Sequence, residues 1–487
     1  MIIAKHIIDQ SPAIFILTPI IFAIIILLVQ KNDVGRVIFT ATNFILLSLV
    51  YGVFISRSNY AKYYVFGGWT RKAGIEFKQD FTTGLLLFLM YLVVFLFSIF
   101  SHNQLKKEFN ACLSPKVSFI PYALFLIIEA AYAGMILTND IFNLYVFMEL
   151  CALATYPIYA ISREKRAYIS AFNYLIICSI ASTLILISIG FILSNFGSLN
   201  LEIIKEKFTA NASAFKPVII LFIIGCMIKL GIFPFHTWKI NAYHNSSILV
   251  AGFLLPISTL CIASIAYKFK FLIHAISAPI TLISFGAISI LLTALASLHE
   301  KNYVKIIIYS SISSAGFYML ALNVSQHTSN ELFAQLAITD TLIKLGLLFI
   351  PISLSESNLY LNDIRFFFGA KRLLLEKLSF LAIIFIMWSA ASFPPSVLFF
   401  FKISILREVF MLSYIWALIL LVSFTTWCIV YIRLFNSLLS PSNLNRSYST
   451  SRLGQCAAVT LSLLIGALNI YHHLFAYVGW FLFKDGV

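Results

Sequence analysis

Apolar stretches of roughly 18–25 residues recur along the whole chain, and this is the length of helix that crosses a bilayer. Only short polar segments separate them, so no soluble domain fits between the stretches. The pattern predicts an all-α polytopic membrane protein with about fourteen transmembrane helices, near residues 12–29, 37–56, 82–101, 118–138, 141–161, 168–194, 217–235, 248–267, 271–298, 303–323, 331–354, 377–408, 411–435 and 455–478.

The composition agrees with this pattern. Of 487 residues, 61% are hydrophobic and 11% are charged, and the mean hydropathy is +0.95. These values exclude a soluble globular domain. In a soluble protein, the net charge of +15 would suggest a nucleic-acid partner. In a membrane protein, the basic residues instead indicate which loops face the cytoplasm. We therefore expect the lipid bilayer as surroundings and no nucleic-acid partner.

The basic residues predict an orientation. Lys and Arg concentrate in loops that follow odd-numbered spans, most clearly at residues 163–166 and 365–377, and such loops face the cytoplasm. Both termini then lie on the non-cytoplasmic side. The N-terminal apolar stretch has no small-residue cleavage site after it, so we interpret it as a retained first span. We expect an integral protein of the bacterial inner membrane.

Motifs for cofactor chemistry do not occur in the sequence. There is no phosphate-cradling GxxxxGK[ST] loop, no GxGxxG segment after a strand and no CxxC pair among the seven cysteines. The histidines do not form a pair on facing spans, as a bis-histidine haem requires. We therefore expect no cofactor, no metal site and no catalytic chemistry in this chain.

One lysine is the most informative residue. Lys229 interrupts the apolar run 218–235, where a charge costs roughly 2.5–3.5 kcal/mol and marks a functional candidate with a partner. A lysine that snorkels to the interface is the alternative. Pro234, five residues later, favours a broken helix that presents a charge at membrane depth.

A second buried charge offers that partner. Glu149 lies in the apolar segment 141–161, where a carboxyl group is either protonated or paired with a cation. A pair between Glu149 and Lys229 would explain both residues. Glu129 is a further carboxyl in an apolar span, and the alternatives are that it lines a cation path or packs in its protonated form.

Three more ionisable residues lie in later spans. Asp340 and Lys344 are four residues apart, on one helical face, and the alternative to a transport role is a local ion pair that neutralises itself. Lys402 follows the residues FPPSVLFFF, so a second lysine lies close to a second proline break. A helix-end anchor near Arg407 is its alternative.

The two breaks predict an internal repeat. Lys229 lies in the seventh span and Lys402 in the twelfth, as expected if two inverted five-helix repeats each contain a broken helix, which is typical of ion sites in transporters. The predicted domains are an N-terminal three-helix segment, a first repeat of helices 4–8, a second repeat of helices 9–13 and a C-terminal helix, at residues 1–110, 111–270, 271–436 and 437–487.

Five segments in order carry a family resemblance: NDIFNLYVFMEL (139–150), KLGIFPFHTW (229–238), LHEKNYVKIIIYSSISSAGF (298–317), ITDTLIKLGLLF (338–349) and FPPSVLFFFK (393–402). They resemble the antiporter-like membrane subunits shared by Mrp-type cation/proton antiporters and respiratory complex I, the NADH:quinone oxidoreductase. The segment FGGWTRKAGI (66–75) resembles the D-type subunit of Mrp antiporters. An acid at Asp340, where many complex I subunits carry histidine, favours the same Mrp branch.

The resemblance implies roles for single residues. Glu149 matches the fifth-span glutamate that pairs with the seventh-span lysine, here Lys229. Lys344 matches the eleventh-span lysine and Lys402 the charged residue of the twelfth span. With Asp340, these residues are the expected proton-translocation residues.

Other matched residues are expected to line or couple the channel. His236 matches the loop after the first break, and Lys305 matches the lysine before a Tyr-Ser-Ser element; we add Glu129 as a candidate without a family counterpart. Two departures stand out. Leu260 occupies about the place of the usual eighth-span lysine, and Lys239 begins a Lys-Ile-Asn sequence where Leu-Pro-Asp is usual.

These inferences lead to one functional hypothesis and two alternatives. The hypothesis is a proton-translocating subunit of a multisubunit Na⁺/proton antiporter, with other membrane subunits as partners and protons and monovalent cations as cargo. The alternatives are a proton-pumping subunit of complex I and a non-conducting structural paralogue. In the hypothesis, separating Glu149 from Lys229 favours the neutral amine, so the lysine proton can leave.

Overall fold

The structure is a computed structural model that describes residues 10–55, 62–71, 74–162, 164–208, 216–275, 279–321, 329–354, 377–439 and 456–469. Within these ranges the chain is helical apart from one β-hairpin and short connections. It divides into two compact units, Met1–Gly286 and Ala287–Val487. This division does not test the predicted four-part organisation, which stays a prediction.

The described part of the first unit contains these helices: α1 (Ser11–Val29), α2 (Asn32–Ile55), α3 (Phe81–Phe100), α4 (His102–Cys112), α5 (Ile120–Leu137), α6 (Ile141–Tyr159), α7 (Lys165–Phe196), α8 (Leu201–Phe208), α9 (Lys216–Leu230), α10 (Thr237–Asn245) and α11 (Ile248–Ala275). Helix α5 packs on α1 and α6, and α7 packs on α6, α9 and α10. Because α5 is buried on nearly all sides, it forms the centre of this unit.

The next helix, α12 (Pro279–His299), crosses the division between the units. The described part of the second unit continues with α13 (Tyr303–Ala321), α14 (Ser329–Leu354), α15 (Lys377–Ala390), α16 (Val397–Leu412), α17 (Tyr414–Leu439) and α18 (Cys456–Asn469). Helix α14 packs on α13, α15 and α16, so the helix that carries Asp340 and Lys344 is central to the second unit.

Ten helices within the described ranges are long and apolar enough to cross a membrane. The all-α membrane fold is therefore confirmed. The predicted seventh, eleventh, twelfth and fourteenth spans do not count among the ten. The seventh and twelfth are interrupted at their prolines, with α9 and α15 before the breaks and α10 and α16 after them. The expected break is thus present in both spans.

A small β-hairpin, which the hydropathy pattern does not predict, lies between α2 and α3. Strands β1 (Lys62–Val65) and β2 (Glu76–Gln79) pair antiparallel. The Glu76 carboxylate is fully buried and accepts hydrogen bonds from Arg71, Asn139 and Asn200. These bonds fasten the hairpin to the segment between α5 and α6 and to the residue before α8.

Helix α4 is also outside the predicted spans. It is short and amphipathic, and it joins α3 to the segment before α5. Glu108 lies on its buried face, and burial raises the pKa of this carboxyl to about 7. An acid that titrates near neutral pH therefore lies in a connection between two spans.

Candidate functional site

The first site is an ion pair at the break between α9 and α10. Lys229, in the last turn of α9, places its Nζ 2.7 Å from Oε1 of Glu149 on α6. The side chains are only 11% and 29% exposed, respectively. The pair that the sequence predicts is therefore present, and it neutralises a charge that would be costly alone.

A hydroxyl group completes the surroundings of the carboxylate. The Ser182 hydroxyl on α7 donates a hydrogen bond to the same Glu149 oxygen that accepts from Lys229. Ser182 is buried. The carboxylate oxygen therefore accepts from an ammonium and from a hydroxyl group at once.

The break itself has a defined backbone. Gly231 has φ +67°, in the region that L-residues with a side chain rarely adopt, and the Phe233–Pro234 peptide bond is cis. A helix end inside the membrane exposes carbonyl groups that need donors. The Trp238 indole donates to the Ile228 carbonyl at 2.9 Å, and Lys239 Nζ donates to the Leu230 carbonyl at 3.3 Å.

A cavity of about 100 Å³ opens beside Lys229 within the first unit. Its lining comes from α5, α6, α7, α9, α10 and α11 and includes two lysines, Lys229 and Lys239, together with four cysteines, four tyrosines and Ser258. The volume is enough for several water molecules. The cavity therefore places space that can hold water next to the buried Lys229.

The second unit contains a similar site around α14. Lys344 Nζ lies 2.5 Å from Oδ2 of Asp340 one turn earlier, and the Ser314 hydroxyl on α13 donates to Asp340 Oδ1 at 2.8 Å. Lys344 is 1% exposed. The local pair that the spacing predicts is present, and a serine again donates to the acid of the pair.

Lys402 lies in the second turn of α16, just after the second break. Its Nζ donates to the Ser392 hydroxyl at 2.7 Å and lies over the rings of Phe317 and Phe424, at 5.3 and 5.6 Å from their centroids. A cation over aromatic faces is stabilised without an anion. Lys402, Lys344 and Asp340 line one cavity of about 40 Å³, so the structure brings these three predicted residues together.

Three predicted residues belong neither to the two acid–lysine pairs nor to the linings of these two cavities. His236 immediately precedes α10, with its ring 5.8 Å from that of Phe233. Lys305 Nζ lies 3.5 Å from Glu300 Oε2 near the start of α13. Glu129 on α5 is fully buried, with Asn43 Nδ2 at 3.5 Å from its Oε1. Their expected roles in lining or coupling a channel stay predictions.

Three serines and one lysine are functional candidates that the sequence alone does not reveal. Ser182, Ser314 and Ser392 resemble ordinary packing hydroxyls in sequence, and only the fold shows which acid or ammonium they face. The sequence shows that Lys239 departs from the family pattern. It does not show that Lys239 is buried and lines the cavity. Helix α11 contains Lys268, whose Nζ donates to the Met135 and Thr138 carbonyls at the end of α5.

This fold and these sites define a class of protein. The chain is an integral membrane protein with buried acid–lysine pairs and a broken helix in each unit, the arrangement typical of ion-translocating subunits. Residues 138–429 match the family described as NADH:quinone oxidoreductase/Mrp antiporter, TM. That segment is more than half of the chain, and the chain belongs to this family. The family that the five motifs indicate is confirmed.

Relatives divide between the two branches of the family. The chain is 29% identical over 300 residues to the N-type subunit of the NADH-quinone oxidoreductase of Desulforudis audaxviator, covering 59% of this chain and 58% of the relative. It is 24% identical over 344 residues to the D-type subunit of the Na(+)/H(+) antiporter of Bacillus subtilis, covering 69% of this chain and 68% of the relative. The chain is therefore an antiporter-like membrane subunit, a description common to both branches.

Solved structures share the fold over nearly the whole chain. A chain of the membrane-bound sulfane sulfur reductase, an archaeal respiratory membrane complex, has a TM-score of 0.84 at 20% identity, covering 96% of this chain and 95% of that one. A chain of the Mrp complex from Dietzia sp. has a TM-score of 0.80 at 16% identity, with the same coverages. For respiratory complex I from Thermus thermophilus the TM-score is 0.75 at 18% identity, covering 95% and 98%. All three are multisubunit membrane complexes.

Proposed function

We propose that this chain is the proton-translocating subunit of a multisubunit monovalent cation (Na⁺)/proton antiporter, similar to the D-type subunit of Mrp antiporters, in the inner membrane of a bacterium. The observation that carries the proposal is the buried ion pair of Glu149 and Lys229 at a helix break beside a cavity that has room for water. Other membrane subunits of the same complex are the expected partners.

The pair works as a switch in this proposal. While Glu149 is 2.7 Å from Lys229, the carboxylate stabilises the ammonium form. When the two separate, Ser182 keeps a hydrogen bond to the carboxylate, and the poorly hydrated ammonium loses its stabilisation and releases its proton. One charge that crosses a potential of 100 mV gains or loses about 2.3 kcal/mol, which is comparable in size to the loss of one such pair.

The second unit holds protons by the same chemistry. Asp340 stabilises the ammonium of Lys344, and Ser314 remains as a donor to Asp340 if the lysine moves. Lys402 lies over ring faces and donates to a hydroxyl, and Asp340 lines the same cavity. We propose that these three residues relay or receive the proton.

A subunit of NADH:quinone oxidoreductase is the second candidate, and the similarity to the N-type subunit favours it. The two functions differ in their energy source. Purification of the chain with its partners distinguishes them, because an antiporter complex exchanges Na⁺ for protons, whereas complex I contains a quinone-reducing arm. A non-conducting paralogue is the third candidate, and the two complete acid–lysine pairs weigh against it.

The test is proton flux through the assembled complex in inverted membrane vesicles. We expect Glu149→Ala and Lys229→Ala each to lower Na⁺-driven proton flux about a hundredfold, since each removes one half of the switch. Glu206→Ala and Lys207→Ala are matched controls, because both residues are exposed on α8 outside the site. Unchanged flux in both site variants would refute proton conduction by this chain.

A further inference from the structure

A second lysine shares the cavity with Lys229. Lys239 lies in the first turn of α10, is 2% exposed, and lines the same cavity as Lys229. Lys229 therefore lies on the half of the broken helix before the break, and Lys239 lies on the half after it. The ion pair of Lys229 with Glu149 does not explain why a second lysine is buried here.

The conformation of the break holds Lys239 in place. A Cβ added to Gly231 would lie 2.9 Å from Cδ and 3.1 Å from Cβ of Lys239, so the lysine stem packs directly on the glycine backbone. The ammonium donates to the carbonyl of Leu230, the residue next to Lys229. The position of the Lys239 ammonium is thus coupled to the end of the helix that carries Lys229.

A purely structural role as a helix cap does not account for this lysine. Trp238 caps the carbonyl of Ile228, two residues before Leu230, with a neutral indole, so a donor without a charge can serve as a cap at this break. Lys268 and Lys207 cap carbonyls with ammonium groups at the ends of α5 and α7, away from mid-helix breaks. Lys239 differs from them because its cap lies inside a cavity, next to a proton-binding lysine.

Lys229 and Lys239 line one cavity, so their amines face a shared space. Two such amines can exchange a proton when one is an ammonium and the other is neutral. The cavity has room for water, and Tyr243 and Ser258 add hydroxyl groups to its lining. A proton can therefore pass between the two amines through hydrogen-bonded groups.

We propose that Lys239 is a further proton-carrying residue, which accepts the proton that Lys229 releases. In this step one N–H bond of the Lys229 ammonium breaks and one N–H bond forms on the neutral Lys239 amine, with water or a hydroxyl as the bridge. The total charge of the pair does not change. The inference rests on the proposed function, because it requires that Lys229 exchanges protons.

The experiment compares Lys239→Met and Lys239→Arg in the assembled complex, with Na⁺-driven proton flux in inverted vesicles as the readout. Methionine fills the space of the stem and removes the amine. Arginine keeps a donor for the Leu230 carbonyl but stays protonated. We expect both variants to assemble and both to lose at least about tenfold in flux, whereas the control Lys207→Met keeps the wild-type flux.

The outcomes separate this inference from the proposed function. Wild-type flux in Lys239→Arg would show that a fixed cation and its hydrogen bond are enough, and would overturn the inference. Failure of both variants to assemble, measured on native gels, would assign Lys239 to structure and would also overturn it. If Lys229→Ala itself keeps wild-type flux, the proposed function fails, and the inference fails with it.

Discussion

At the scale of single residues, the two units solve the problem of a buried charge in the same way. An acid accepts from a lysine and from a serine at once: Glu149 from Lys229 and Ser182, and Asp340 from Lys344 and Ser314. The serine satisfies part of the hydrogen-bonding capacity of the carboxylate without binding the proton that the lysine carries. A lysine with such a partner can leave without exposing a bare carboxylate.

Glu108 gives a prediction about pH. Its pKa is raised by burial from 4.5 to about 7, so between these values the folded chain binds a proton that the unfolded chain has lost, and stability falls as the pH rises. The loss amounts to about 3 kcal/mol, complete above pH 7. We expect the melting temperature in detergent to fall between pH 5 and 8, and Glu108→Gln to remove that fall.

A thermal melt series at several pH values checks this, with Glu206→Gln as the exposed control. If Glu108→Gln and the wild type show the same pH dependence, the burial of a titrating Glu108 is refuted.

The site residues differ in how far the sequence could predict them. The cost of a lone charge in an apolar run makes Glu149 and Lys229 obvious partners, and the four-residue spacing does the same for Asp340 and Lys344. Serines such as Ser182 carry no such cost and resemble any other hydroxyl in a helix. Their roles depend on which helices are neighbours, and hydropathy contains no information about that.

At the scale of elements, the two broken helices present their lysines differently. Lys229 precedes its break and Lys402 follows its break. The first break is held by donors from α10, and in the second the Trp388 indole donates to the Pro394 carbonyl at 3.1 Å. Ser392, with φ +57°, contributes the hydroxyl that binds Lys402.

Gly231 provides a prediction for the first break. Gly231→Ala forces a side chain into a left-handed backbone, at roughly 1–2 kcal/mol, and places its Cβ against the Lys239 stem. We expect a lower melting temperature and a large loss of proton flux. Gly190→Ala is the matched control, because a Cβ at Gly190 on α7 has no atom within 4 Å and alanine favours the helix by about 0.5–1 kcal/mol.

Differential scanning fluorimetry and vesicle flux measure both effects. Equal behaviour of the two alanine variants would contradict the idea that the geometry of the break positions the lysines.

The elements themselves could be predicted only where they are long and apolar. Proline near a lysine predicts both breaks, because proline removes a backbone donor and so disfavours a continuous helix. Strands β1 and β2 and helix α4 lie between spans and have mixed composition. An apolar pattern of membrane length therefore does not predict them. The hairpin depends on Glu76 being buried by Asn139 and Asn200, which are distant in sequence.

At the scale of the whole molecule, the fold is shared with chains of three kinds of membrane complex at 20% identity or less. In this chain Leu260 on α11 is fully buried where the family resemblance leads us to expect a lysine, and α10, which packs on α11, carries the buried Lys239 instead.

The central claim is that Lys229 releases and rebinds a proton during transport. A lysine that only stabilised the fold with its charge would not need to do so. Lys229→Arg tests it most directly, because arginine keeps the ion pair with Glu149 and stays protonated at any accessible pH. The measurement is Na⁺-driven proton flux of the assembled complex in inverted vesicles. We predict normal assembly with at least about a hundredfold loss of flux. Wild-type flux in Lys229→Arg would contradict proton release by Lys229.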